Sequence, residues 1–330
     1  MGQKEVGYDP QKRREFGVFL WLLVLVCAAS GIGIGLILHP APRNAPPAPL
    51  PARGMMRMPA VPPPRPYTFP GGKQALSGNY RFVAMYGTPD EPALGVLGDQ
   101  NLDNSLSRVQ QMAKDYQPLS QQPVYPSFEI IATVASSSPT DNGDYSREVD
   151  PAKIQAWAEA AQRAGVYVVL DIQPGRSDFL TQAKEYEQVL KLPNVGLALD
   201  PEWRLTGDQV PLAQIGSVGI SEVNGVASWL SSLVVDNNLP QKLFVLHQFR
   251  LDMLPGRDQL NMAHPELMYI IQMDGQGTQA AKADTWRAVT ANPPGNTVFG
   301  WKNFISQDDP MLSPAETMAL TPQPWYISYQ

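Results

Sequence analysis

The sequence predicts an α/β fold: a (β/α)8 barrel of TIM type over residues 73–330, lacking its last helix. Three observations predict it. Eight short runs, apolar nearly throughout and rich in β-branched residues, recur after Gly72, as strands buried on both faces do. Helical patterns fall between them. The segment has the length of such barrels, typically about 250 residues. A doubly wound open sheet is the alternative that spacing alone leaves open.

The runs are Tyr80–Tyr86, Phe128–Ala135, Val166–Ile172, Val195–Leu199, Leu243–His247, Leu267–Met273, Thr297–Trp301 and Trp325–Tyr329. After the first, Leu102, Leu106, Val109, Met112 and Tyr116 repeat at helical spacing. Asp150-Pro151 supplies an N-cap and an N1 proline for the next helix, Ile154, Trp157 and Ala161 line its face, and Gly165 ends it. Phe179, Ala183, Tyr186 and Leu190 mark a third helix, and Val223, Val226, Leu230, Leu233 and Val234 a fourth. Leu251–Met262 and Ala280–Val289 are weaker helical patterns. Ser313-Pro314-Ala315-Glu316 reads as a capping box. Only Gln330 follows the eighth run, so another segment must cover that seam; the Thr88–Asn101 loop is the expected cover.

Ahead of the barrel, residues 16–38 form an uncharged apolar run. As a helix it would rise about 35 Å, enough to cross a bilayer core. Lys12, Arg13 and Arg14 precede it and only Arg43 follows closely. The charge bias keeps residues 1–15 in the cytoplasm and the barrel outside, on a single-pass signal anchor in the plasma membrane. A cleaved signal peptide with exit Ala28-Ala29-Ser30 is the competing reading. Gly31 and Gly35 form one GxxxG, the basis for a weak dimer contact. Residues 39–72 read as a stiff extracellular linker, with 12 prolines between Pro40 and Pro70.

Composition excludes several classes. A net charge of −6 argues against nucleic acid as partner. One cysteine and three histidines exclude a disulfide framework or a zinc ribbon. There is no GxSxG and no phosphate loop. Asp141-Asn142-Gly143-Asp144 lacks the calcium-loop spacing and reads as a polar turn. The expectation is a site without cofactor or resident metal. A divalent ion on Asp171, Asp200 and Asp274 is a minor alternative.

In parallel barrels chemistry sits where the strands end. The third run exits at Asp171, the fourth at Asp200 and Glu202 with Trp203 beside them. The fifth gives His247 and Gln248, the sixth Gln272 and Asp274, the seventh Trp301 and Lys302. Asp171, Asp200, Glu202 and Asp274 are the candidate catalytic carboxylates; the other residues are candidate substrate contacts. Paired acids with amides and aromatic plates suit carbohydrate, since glycoside hydrolysis needs one carboxylic acid and a second carboxylate. Each residue has a plainer reading: a turn or cap for Asp200 or Glu202, an arginine partner for Asp171, a turn for Asp274, a core histidine for His247, and a barrel cap for the tryptophans. Glu222, in the first turn of the fourth helix, reads as a dipole partner.

The stretch Leu199-Asp200-Pro201-Glu202 resembles the Asp-x-Glu at the same strand exit of chitinase-like and lysozyme-type barrel glycoside hydrolases. The resemblance implies Glu202 as proton donor and Asp200 as its helper. The chitinase-type pattern carries a further acid at position 198, where this chain has Ala198. The whole also resembles membrane-anchored surface proteins of actinobacteria, which implies a cell-wall or extracellular polysaccharide as partner. A non-catalytic glycan-binding scaffold is the competing function.

Overall fold

The structure, a computed structural model, describes residues 67–330. The strands are β1 Arg81–Gly87, β2 Val124–Ala135, β3 Ser146–Glu148, β4 Tyr167–Ile172, β5 Val195–Leu199, β6 Lys242–His247, β7 Leu267–Met273, β8 Val298–Asn303 and β9 Tyr326–Tyr329. Eight of them form a parallel ring in the order β1-β9-β8-β7-β6-β5-β4-β2. Pairing of β1 with β2, from Arg81↔Val124 to Gly87↔Ile130, closes it. The fold is therefore a TIM-type barrel, and the open sheet is excluded. The short β3 lies outside the ring, antiparallel to the end of β2. Its sequence, Ser-Arg-Glu, lacks any apolar alternation, so the sequence carried no sign of it.

The helices are α1 Leu102–Tyr116, α2 Pro151–Arg163, α3 Phe179–Glu185, α4 Glu187–Leu190, α5 Ile220–Asp236, α6 Gln279–Thr290 and α7 Pro314–Met318. Their starts follow local chemistry. The Asp150 carboxylate caps α2 ahead of Pro151, and Ser313 and Glu316 form the full capping box of α7. The third predicted helix is split at Tyr186, whose hydroxyl donates to the Ala132 and Val149 carbonyls. Leu251–Met262 is not a helix. It holds two single 3-10 turns, at Leu251–Met253 and Arg257–Gln259. Between them Pro255 lacks the N–H a helix needs, and Gly256 adopts φ 76°.

Beside β9, α1 packs against α7. Tyr116 of α1 meets Tyr329 of β9 hydroxyl to hydroxyl at 2.6 Å. The Thr88–Asn101 loop adds Leu94, whose carbonyl accepts from the Gln330 amide.

Strand alternation then sorts the side chains. Val83, Val168, Leu170, Leu197, Phe244 and Leu246 face the helices in the main core. Phe82, Tyr125, Tyr167, Leu243 and Tyr326 face the barrel axis in an aromatic cluster. Phe69 joins that cluster and is 1% exposed. It sits edge-on to Tyr80 and Tyr125. Packing of the barrel therefore begins ahead of Gly71-Gly72, inside the stretch that reads as linker.

Towards the strand ends the interior turns polar. Tyr86, Glu129, Asp171, Asp200, His247, Gln272, Lys302 and Ser328 are all buried, one from each barrel strand or its exit. Polar groups so placed must find partners or keep a cavity wet. This layer is the floor of the site.

Among the described residues no helix is long and apolar enough to cross a membrane. The 16–38 run with Gly31 and Gly35, the 1–15 tail and the 39–66 part of the linker lie outside the described residues.

Candidate active site

A cavity of about 680 Å³ opens above this polar layer. Asp200, Glu202, Asp274, Lys302, Tyr86 and Gln173 line it, and Trp203, Phe249, Phe304, Leu212 and Ile215 supply apolar wall. Its size suits an organic ligand.

Glu202 sits on a 3-10 turn, Pro201–Trp203, that follows β5 directly. Two contacts hold that turn. Gly216 donates its N–H to the Glu202 carbonyl at 2.7 Å. A Cβ at position 216 would lie 2.5–2.8 Å from the carbonyl oxygens of Arg204, Glu202 and Pro201, so only glycine permits this approach. Arg204, next in the chain after the turn, forks onto both carboxylate oxygens of Glu222 at 3.0 and 3.2 Å. Glu222 also accepts from the Phe179 N–H. Glu222 is thus a clamp between α3, α5 and the turn.

His247 is the hub beneath the cavity. Its Nδ1 lies 2.8 Å from Asp274 Oδ2 and its Nε2 lies 2.7 Å from Glu129 Oε1. Burial disfavours its charge, but Asp171, Glu129 and Asp274 outweigh that and raise its pKa well above the usual value. With a carboxylate oxygen at each nitrogen, the imidazolium, donating from both, is the favoured form. Tyr326 donates to the other oxygen of Glu129 at 3.1 Å. Glu129 was not among the residues selected from sequence. The available signal was a lone charge inside an apolar strand, FEIIATVA.

Tyr86 is a second organiser. Its hydroxyl donates to Asp171 Oδ2 at 2.8 Å and accepts from the Gln173 amide at 3.2 Å. The Lys302 ammonium lies 3.3 Å from the centroid of the same ring. Asp171 is held up at about 6, chiefly by burial, with Glu129 adding and His247 and Lys302 opposing. Glu202 is held up at about 7 by burial and by Asp274. Asp200 is raised well above the ordinary range, first by burial, then by Asp171, Glu202 and Asp274 against His247. Five carboxylates thus share the space of two cations, and protons remain on some of them near neutral pH.

Three of the four candidate carboxylates, Asp200, Glu202 and Asp274, line one cavity, and Asp171 is buried behind Tyr86, which does line it. Trp203 and Lys302 also face it, and His247 supports it from below. Three candidate substrate contacts do not line the cavity. Trp301 points the other way, edge-on to Trp286 of α6, because β8 alternation turns Gly300 and Lys302 inward instead. Gln248 accepts from Arg257 at 2.7 Å and donates to the Arg250 carbonyl, bracing the loop after β6. Gln272 is buried beneath the cavity and donates to Ser328 at 2.5 Å.

Asp200, His247 and Asp274 offer atoms within 4.8 Å of one another, a spacing compatible with a divalent ion. The imidazole does not fit that role. Both its nitrogens face carboxylates, so neither has a lone pair to give. The Asp141–Asp144 turn satisfies itself: Thr140 donates to Asp144 and Asn142 donates to the other Asp144 oxygen.

No family model matches the chain, and no curated protein matches it. Among solved structures it is similar to a xylanase and α-amylase inhibitor protein at 13% identity, covering 76% of this chain and 92% of that one, with a TM-score of 0.42. The corresponding inhibitor from Scadoxus multiflorus matches at 12%, over 76% and 92%, with a TM-score of 0.41. A cellobiohydrolase from Humicola insolens matches at 13%, over 67% and 61%, with a TM-score of 0.28. At these scores the neighbours carry no argument about activity, and the barrel stands on its own strand pairing.

Proposed function

We propose that this protein is a glycoside hydrolase with Glu202 as general acid. The observation that supports it best is a carboxyl on the cavity wall whose proton is held to about 7 by burial and by the neighbouring Asp274. Asp274 is the second carboxylate. His247 fixes its orientation through Oδ2 and leaves Oδ1 without a partner. Asp200 and Asp171 share the remaining protons beneath. Trp203, Phe249 and Phe304 line the wall as aromatic surface for sugar rings. The substrate class is a cell-wall or extracellular polysaccharide, met outside the plasma membrane by a barrel that residues 16–38 anchor and the proline-rich stretch holds away.

The test is turnover of a panel of cell-wall and storage polysaccharides by the wild-type chain and by Glu202→Gln. Cleavage of one glycan that the variant loses supports the reading. Cleavage with unchanged turnover in the variant removes Glu202 from it. Glycan binding with no turnover by either protein favours the alternative, a non-catalytic binding barrel. That reading draws on one feature: Asp274 is bound to a buried imidazolium rather than free.

A further inference from the structure

The floor of the cavity is rich in acceptors and poor in donors. Asp171 Oδ1, Asp200 Oδ1 and Asp274 Oδ1 are buried and accept from nothing. Asp200 and Asp274 are 3% and 7% exposed, and both line the cavity. Three of the protein donors nearby are committed elsewhere: Tyr86 to Asp171 Oδ2, Tyr326 to Glu129, Gln272 to Ser328. The charges are unbalanced in the same sense. Glu129, Asp171, Asp200, Glu202 and Asp274 face His247 and Lys302, while the next cation, Lys282, is paired with Asp308. His247 is spent between Glu129 and Asp274. Lys302 lies against the Tyr86 ring.

From the unpartnered oxygens of Asp200 and Asp274 and the surplus of acids around the cavity, we propose that it selects a sugar unit carrying a free amine. The proposal rests on the glycan reading above and names the class of glycan. An ammonium brings three N–H donors to oxygens that have none, and one positive charge to a floor with more acids than cations. A hydroxyl brings one donor and no charge. An N-acetyl group brings one donor and a carbonyl that acids already crowd. Asp200 and Asp274 are themselves nearly out of solvent, which strengthens the charge contact. The expected order is amine, then hydroxyl, then acetamide.

The experiment is calorimetric titration of the full chain, in EDTA, with three β-1,4-linked oligomers of equal length: glucosamine, glucose and N-acetylglucosamine. The glucosamine oligomer should bind at least ten-fold more tightly than the acetylated one. The ratio should persist in 0.5 M salt, which screens exposed surface charge but reaches buried pairs weakly. It should fall towards one in Asp200→Asn and in Asp274→Asn. Equal or tighter binding of the acetylated or glucose oligomer overturns the proposal. So does a preference that salt abolishes, or one that both folded variants retain, because either places the contact on the outer surface. Turnover or binding of a neutral glycan without amine preference removes this inference alone. Failure of every oligomer and every polysaccharide to bind removes the glycan reading with it.

Discussion

His247 Nε2 meets Glu129 Oε1 at 2.7 Å across the interior of the barrel, joining β6 to β2 although two other strands stand between them in the ring. The contact links two strands that share no ladder, and both its side chains are fully buried. Removing one partner strands the other charge. His247→Gln should therefore destabilise the protein by about 3–5 kcal/mol. Glu129→Gln combined with His247→Gln should cost less than the sum of the two single changes. Urea denaturation of the four proteins in a double-mutant cycle measures that coupling.

Catalysis by the Glu202 proton carries a magnitude. Glu202→Gln should lower kcat by about 10²–10⁴-fold, the usual share of general acid catalysis, with a smaller change in KM. Circular dichroism should be unchanged, since no hydrogen bond to the Glu202 carboxylate holds the fold together. The wild-type rate should fall as pH rises through about 7, where Glu202 loses its proton.

Stability should depend on pH in a definite direction. Asp171 and Glu202 are held at about 6 and about 7 in the folded state, above their ordinary values of 3.8 and 4.5. Between about pH 4 and 7 the folded protein therefore binds more protons than the unfolded chain. Stability from these groups is full below about pH 4 and declines as pH rises through about 7. His247, also raised, acts in the same sense above its unfolded value. Melting temperatures across pH 5 to 8 should fall for wild type, and fall less steeply for Glu202→Gln.

Gly216 tests how tightly the Glu202 turn is positioned. A methyl group at 216 meets three backbone oxygens at 2.5–2.8 Å, so Gly216→Ala must push the Pro201–Trp203 turn away. Turnover should drop at least ten-fold, with kcat affected more than the melting temperature. Gly225, around which a Cβ meets nothing within 4 Å, is the control. Gly225→Ala should leave turnover unchanged.

Arg204 offers a third check on the same turn. Its fork onto Glu222 is bidentate, which lysine cannot reproduce. Arg204→Lys should lower turnover several-fold while leaving the buried His247 contacts intact. Steady-state kinetics beside thermal melting separates those effects.

The sequence determined the strands and where each one exits. Runs such as VYVVLDI and LMYIIQM have little choice but a doubly buried strand, and alternation within them already sets Asp171, His247 and Gln272 on the inner face. It also placed Asp200, Glu202 and Asp274 at one end of the barrel, because parallel strands all exit the same way. What it left open depends on distance across the ring. Closure by β1 and β2, the Glu129–His247 pair and the Tyr86–Asp171 bond join residues 43 to 118 positions apart. No local pattern encodes such contacts. Trp301 marks the boundary: its rim position was legible, but the outward turn of its ring was fixed only when Lys302 and Gly300 took the inner face of β8. Local periodicity is a property of neighbouring residues. Which acids share a proton is a property of the cylinder they enclose.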